Sequence, residues 1–171
     1  MQKYRILIKN LCVASLFLAL WCNTSYAQVQ VGGNFGFDIS NNVLMIDIAP
    51  TIGMSPFERA RVTVSPFFSH IQNIQVAGTG VSRLGLRAAL QYTIFTGLFA
   101  HAEYECAFER ANEAYQGVSH ALPIGAGFEY EIMPNTIAYG MALYNVLHNS
   151  SKSSAFRETP FQYRVGVRYS L

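Results

Sequence analysis

A short polar stretch near the carboxyl terminus carries the residues whose types and spacing could do chemistry. His148 and Ser150 are separated by one residue, and Glu158 follows in the same stretch. A serine hydrolase needs a base in contact with its nucleophile and an acid that orients the base. These three residues therefore form a candidate hydrolytic site. The many serines around them are equally typical of a polar surface loop.

A second pair of chemically active residues lies in the middle of the chain. His101 and Glu103 are two positions apart, so in a strand both side chains would project from the same face. Protein zinc sites use three or four ligands, and no cluster of His or Cys accompanies this pair in the sequence. We therefore expect no metal site and no cofactor, and we interpret His101 as part of a hydrogen-bond network.

The start of the chain has the pattern of a cleavable secretory signal. Basic residues open it, an apolar stretch too short for a membrane-spanning helix follows, and a small-x-small sequence ends at Ala27. We expect cleavage between Ala27 and Gln28. Residues 1–27 are then the signal peptide, and residues 28–171 form one domain.

Loss of the signal removes the apparent basic character of the chain. Of 171 residues, 144 remain, with nine Lys and Arg against ten Asp and Glu. This balance gives no indication of nucleic acid as a partner. Of the three cysteines only Cys106 remains, which excludes an intramolecular disulfide.

Eight segments of alternating apolar and polar residues follow the signal. They cover residues 29–38, 44–52, 62–70, 83–92, 98–109, 122–131, 137–144 and 160–171. Alternation of period two predicts strands with one apolar and one polar environment. Short connections lie at 93–97 and 133–136, and longer polar connections lie at 72–79, 110–117 and 148–159. This all-β pattern predicts an eight-stranded antiparallel up-and-down transmembrane barrel.

The polar faces of these segments suit a confined interior better than a solvated surface. The chain after the signal has one lysine, Lys152, and its strand charges come from Arg, Glu and Asp interleaved with Gly and Ala. Arginine and carboxylates pair through forked hydrogen bonds. We therefore predict that the charged residues fill the lumen and that the apolar residues face lipid.

The aromatic residues of the predicted lipid face form two groups. The group expected near the short-turn rim is Tyr92, Phe128, Tyr130, Tyr139 and Tyr169, and the group towards the other rim is Phe35, Phe37, Phe68, Tyr104, Phe108, Phe161 and Tyr163. Aromatic belts at both interfaces are typical of membrane barrels. In this assignment the lipid face of segment 137–144 consists of Ile137, Tyr139, Met141 and Leu143.

A register for the fourth and fifth segments follows if residues 93–97 form the turn between them. Arg87 then lies opposite Glu103, with Glu105 on its diagonal. Confined charges cost far less free energy when they are paired. We expect a luminal charge network made of Arg83, Arg87, Glu103, Glu105, Glu129, Arg164, Arg168 and Asp47.

The whole chain after the signal resembles the small eight-stranded outer-membrane barrels, the OmpA-transmembrane and OmpX-like group. The resemblance rests on the signal, the eight segments and a last strand with alternate apolar residues, which are Tyr163, Val165, Val167, Tyr169 and Leu171. In that group the last strand carries the signal for the outer-membrane assembly machinery and usually ends in an aromatic residue, whereas this chain ends in Leu171. The resemblance implies the bacterial outer membrane, contact with its lipid, and the assembly machinery as a partner during biogenesis.

Three functions remain open at this point. The leading interpretation is a non-enzymatic structural, surface-binding or accessory barrel that acts through its outer loops, with an envelope protein as a partner that the sequence does not name. A hydrolase is the first alternative, because His148, Ser150 and Glu158 resemble the His-x-Ser pair and downstream Glu of outer-membrane lipid A deacylases. Two features differ from that family. The asparagine-rich surroundings of its motif are missing, and strand parity predicts His148 on the lumen side, whereas the site in that family faces lipid. A narrow porin-like channel is the second alternative.

Overall fold

The alternating segments form β-strands throughout the part of the chain that the structure describes. The computed structural model describes residues 28–40, 43–73, 80–111, 115–147 and 160–171. The strands are β1 (Gln28–Ser40), β2 (Val43–Phe57), β3 (Ala60–Asn73), β4 (Gly80–Phe95), β5 (Leu98–Ala111), β6 (Tyr115–Ala121), β7 (Pro123–Met133), β8 (Thr136–Asn145) and β9 (Phe161–Ser170). Within these ranges no helix is long and apolar enough to cross a bilayer.

The strands close into a barrel of eight. Apart from β6 and β7, which both pair with β5, each strand pairs antiparallel with its neighbour in the chain, and the pairing of β9 with β1 closes the ring. Segments β6 and β7 form one strand that is interrupted at Leu122, because both pair with β5 in the same register. The predicted eight-stranded antiparallel barrel is confirmed. Its sixth strand starts earlier than predicted, at Tyr115 instead of Leu122.

The two faces of the barrel have opposite polarity. Apolar side chains in mid-strand are exposed on the outside, as for Ile48 at 55% and Leu84 at 62%. Charged side chains are buried on the inside, as for Asp47 at 1% and Glu105 at 0%. A water-soluble protein buries its apolar side chains and exposes its charges. The inverted arrangement is that of a transmembrane barrel, whose outer apolar band faces acyl chains.

The turn between β4 and β5 differs from the predicted one. β4 continues to Phe95, a two-residue turn at Thr96 and Gly97 follows, and Arg87 pairs with Glu105 instead of Glu103. The register change is absorbed by an irregularity between Thr93 and Phe95. The longer ladder pairs backbone groups that a five-residue loop would leave unpaired in the strand. The shift is two residues, so every side chain keeps its predicted face.

The faces of β8 are reversed relative to the prediction. Met141 and Leu143 are buried in the lumen, whereas Tyr144 is exposed on the outside. Tyr139 also points inwards, where its ring meets Phe99 edge-on at 6.5 Å between centroids. The placement of Tyr139 in an outer aromatic belt is therefore wrong. The strand parity that placed His148 on the lumen side was based on the same assignment and no longer applies; His148 itself lies outside the described residues. Both faces of this strand are apolar, so alternation alone did not indicate which face turns inwards.

Gly97 provides a test of the tight turn. Its φ is +86°, a region that β-branched residues rarely adopt, and a Cβ there would lie 2.7 Å from the Phe128 ring. We expect Gly97→Val to lower the free energy of unfolding by about 1–3 kcal/mol, measured by urea titration of the folded barrel in detergent micelles.

Gly33→Ala is the matched control for this variant. A Cβ at Gly33 would meet its nearest neighbour, the Ala49 carbonyl oxygen, at 3.5 Å, which is ordinary contact. Its stability should therefore be unchanged or slightly higher, because alanine loses less chain entropy than glycine on folding. Equal stability of the two variants would contradict the tight turn.

Candidate functional site: the charged barrel interior

Arg164 joins two carboxylates at the centre of the lumen. Its Nη1 donates to both oxygens of Glu103 at 2.6 and 2.7 Å, and its Nη2 donates to Oε1 of Glu105 at 2.7 Å. Nη2 also donates to Gln162 Oε1 at 2.8 Å. All four side chains are buried. The alternation of β9 turns Arg164 inwards, and closure of the barrel brings it to β5 on the other side of the lumen.

Arg87 makes the second bridge across the lumen. Its Nη1 and Nη2 donate to the two oxygens of Asp47 at 2.8 and 2.5 Å, and its Nε donates to Glu105 Oε1 at 2.7 Å. The guanidinium lies over the buried Phe67 ring, 3.8 Å from its centroid. The forked contacts and the cation–π contact stabilise the buried charge of Arg87.

The network continues towards the end of the barrel where the longer connections lie. Arg83 Nε is 3.0 Å from Glu109 Oε1, and its Nη2 donates to Ser119 Oγ at 3.2 Å. The second oxygen of Glu105 is 3.9 Å from Arg83 Nη2. Glu105 is thus in contact with three arginines, which are Arg83 and Arg87 of β4 and Arg164 of β9.

A separate group lies towards the short-turn end of the lumen. Glu129 Oε2 accepts hydrogen bonds from Arg168 Nη2 and, at 2.8 Å, from Gln91 Nε2. Arg61 Nη1 is 3.6 Å from the same oxygen. Two guanidinium groups therefore share one carboxylate at this end.

Together these contacts seal the middle of the barrel. They join five arginines to five carboxylates, drawn from β2, β3, β4, β5, β7 and β9. An eight-stranded barrel has an interior just wide enough for side chains to fill. A cavity of about 40 Å³ lies on the short-turn side of the central ion pairs, which is room for a few water molecules.

His101 belongs to this network as a hydrogen-bonding group. Its Nε2 lies 3.1 Å from Glu103 Oε2, and both side chains are buried. Within the described ranges no group of three or more His, Cys, Asp or Glu side chains could hold a metal ion. The chemistry available here is charge pairing and hydrogen bonding.

The structure places the sequence-predicted residues as follows. The eight residues of the predicted charge network all lie on the lumen side and take part in its ion pairs, which are Asp47, Arg83, Arg87, Glu103, Glu105, Glu129, Arg164 and Arg168. Tyr163, Val165, Val167, Tyr169 and Leu171 are exposed on the outside of the last strand and at its end. Gln28 is the first residue of β1. Ala27, His148, Ser150 and Glu158 lie outside the described residues.

Sequence reasoning missed several residues of the interior. Arg61 and Glu109 complete the ion pairs at the two ends, and their positions on the polar faces of β3 and β5 could have indicated this. Phe67 broke the alternation of its strand, and it lies under Arg87. Tyr139 was assigned to the outer face, and it lies near Arg168 at 5.5 Å from the guanidinium carbon to the ring centroid.

Comparison with solved structures identifies the class of the fold. No family model and no curated protein sequence matches the chain. The outer membrane protein Ail of Yersinia pestis, determined in a phospholipid bilayer nanodisc, superposes with a TM-score of 0.55 at 10% identity, covering 85% of this chain and 99% of that one. A major outer membrane protein from Thermus thermophilus gives 0.54 at 12% identity, covering 85% and 100%.

These matches show the fold. The chain has the architecture of the small eight-stranded outer-membrane β-barrels, as the sequence resemblance predicted.

Proposed function

We propose that this chain is an integral outer-membrane protein without enzymatic activity. It serves as a rigid barrel that presents its connecting loops for a structural, surface-binding or accessory role. The observation that carries the proposal is the combination of an exposed apolar outer band with a lumen closed by buried ion pairs. In this proposal the ion pairs across the middle of the lumen prevent a continuous aqueous path through the barrel.

The arrangement of strand ends supports a role for one end of the barrel. The strands that lead into residues 41–42, 74–79, 112–114 and 148–159 all end on the same side, and the turns at 58–59, 96–97 and 134–135 lie on the other. Three of the four connections on the first side, all but 41–42, are longer than these two-residue turns. Short turns of this kind face the periplasm in bacterial outer-membrane barrels, and the longer connections face outwards. An envelope protein or a surface ligand would meet the barrel at that outer end.

The last strand supports assembly in the outer membrane. Tyr163, Val165 and Val167 form an exposed apolar row on β9, about half exposed, with Tyr169 and Leu171 continuing it. In this proposal the row is recognised by the assembly machinery and afterwards contacts outer-membrane lipid. The signal peptide ending at Ala27 directs export to that machinery.

Envelope fractionation and electrophysiology test the proposal together. We expect the protein in the outer-membrane fraction, with faster gel migration before boiling than after it, and no defined conductance steps in planar bilayers, since the ion pairs close the lumen. A wide porin prepared in the same detergent is the control for the recordings.

Two outcomes would contradict the proposal. Defined single-channel steps would identify a narrow channel. Altered lipid A acylation in cells expressing the wild type, but not the Ser150→Ala variant, would identify the hydrolase.

A further inference from the structure

A small polar chamber lies in the lumen on the short-turn side of the central ion pairs. Its volume is about 40 Å³, and polar residues from several strands line it, among them Gln30, Asn34, Arg61, His101 and Arg168. About 10–15 Å³ suffices for one water-sized occupant. The chamber therefore has room for about three such groups, or for one ion with its closest waters.

The walls of the chamber carry buried polar atoms without a hydrogen-bond partner in the protein. The donors are Nε of Arg61 and Nε of Arg168, and the acceptors are Gln30 Oε1 and Asn34 Oδ1. Arg168 and Gln30 are more than nine-tenths buried. An unsatisfied buried polar group costs about 1–3 kcal/mol, so several of them around one cavity indicate an occupant that completes their bonds.

The charge at the walls determines the sign of this occupant. At this end of the lumen Arg61 and Arg168 share Glu129 as their carboxylate, which leaves one positive charge in excess locally, although the charges of the whole lumen balance. Arg87 also lines the chamber and is paired with Asp47 and Glu105. Glu103 also lines the chamber, but both of its oxygens accept from Arg164. Glu58 and Arg59 on the exposed turn outside have opposite charges and cancel.

We propose that the chamber binds one small monovalent anion of halide size. The anion accepts hydrogen bonds from Arg61 and Arg168, and water molecules bridge it to the amide oxygens of Gln30 and Asn34. A second cavity of about 850 Å³ lies at the short-turn rim and shares Gln30 and Arg61 with the chamber, which is the side from which we expect the anion to enter. This site is independent of the proposed role of the loops.

Bromide is the direct probe of this site. Crystals of the detergent-solubilised barrel grown in sodium bromide should show an anomalous peak in the chamber, in contact with both guanidinium groups. The peak should disappear in Arg61→Gln and persist in Arg59→Gln, which removes an exposed arginine of the adjacent turn. Asn34→Asp should also remove the peak, because the negative charge of a carboxylate in the chamber wall repels the anion and takes its place beside the two arginines.

A solution measurement covers the case in which Arg61→Gln does not fold. Replacing gluconate, which is too large for the chamber, by chloride at constant ionic strength should raise the unfolding midpoint of the wild type and of Arg59→Gln. At a chloride concentration of about ten times the Kd, the unfolding midpoint should rise by about 3 °C. Asn34→Asp should lose this dependence. A chamber that holds only water in bromide crystals, or a wild type equally stable in both salts, would overturn the proposal.

Discussion

Replacing Arg164 by alanine should lower the free energy of unfolding by about 3–5 kcal/mol. Arg164 is 2% exposed and gives three hydrogen bonds to Glu103 and Glu105. Without it, two buried carboxylates face each other with less of the opposing charge that holds them in the lumen. The effect should be measured by urea titration of the barrel folded in lipid vesicles, using the fraction that migrates fast on an unboiled gel.

Three further variants separate charge pairing from the loss of side-chain volume. Arg59→Ala, on the exposed turn, should stay within about 0.5 kcal/mol of the wild type. Arg164→Lys should fall between alanine and the wild type, because one ammonium group does not reproduce a planar fork. Combining Arg164→Met with Glu103→Gln should recover part of the loss, because the carboxylate that accepts two of the Arg164 hydrogen bonds is then neutral while Glu105 still pairs with Arg83 and Arg87. If Arg164→Ala were as stable as Arg59→Ala, the central network would not hold the barrel together.

Leu86→Arg should lower the free energy of unfolding by about 2–4 kcal/mol, the cost of an arginine near the middle of a bilayer. Leu86 is 54% exposed in the middle of β4, and its neighbours on the same face are Pro66 and Cys106. On a water-soluble protein the same exposed leucine could become arginine within about 0.5 kcal/mol. The change in the free energy of unfolding caused by Leu86→Arg therefore shows whether lipid or water covers the outer face. The measurement is the same vesicle titration.

Phe95→Arg is the matched control for Leu86→Arg. Phe95 is 70% exposed at the short-turn end of the same strand. An arginine at the interface costs about 0–1 kcal/mol, because its charge reaches the headgroups and water. Equal effects at the two positions would mean that the outer face has no depth-dependent apolar environment, and the membrane assignment would then be wrong.

These experiments address the two halves of one arrangement. The outer face is stabilised by transfer of apolar side chains into lipid, and the lumen is stabilised by pairing of charges that have left water. The apolar outer face and the paired charges of the lumen depend on each other. Strands in lipid need a closed ring to pair all their backbone groups, and the closed ring places the charged side chains of the inner face in a confined space where they must be paired.

Much of this fold was predictable from local pattern. The alternation in segments such as 98–109 assigned each residue to one of two faces, and the pairing of arginine with carboxylate types indicated that the polar face is the confined one. Eight segments with short and long connections in turn were enough to predict a closed antiparallel barrel. These properties depend on residues that are close in sequence, so they can be predicted without knowledge of the tertiary contacts.

Which charges meet was decided by the tertiary structure. Arg164 and Glu103 are 61 residues apart, and Arg87 and Asp47 are 40 apart. Their contacts run across the lumen, so they depend on strand order, register and closure. The same applies to Arg61, whose role follows from its distance to Glu129 on another strand.

The orientation of β8 shows where local pattern has no information. Tyr139, Met141 and Leu143 alternate with Ala138, Gly140 and Ala142, so both faces are apolar and either could face lipid. The choice is made by the space inside the closed barrel, where Phe99 and Gly166 accommodate the Tyr139 ring. A period of two divides a strand into two faces, but only packing against the other strands selects the inner one.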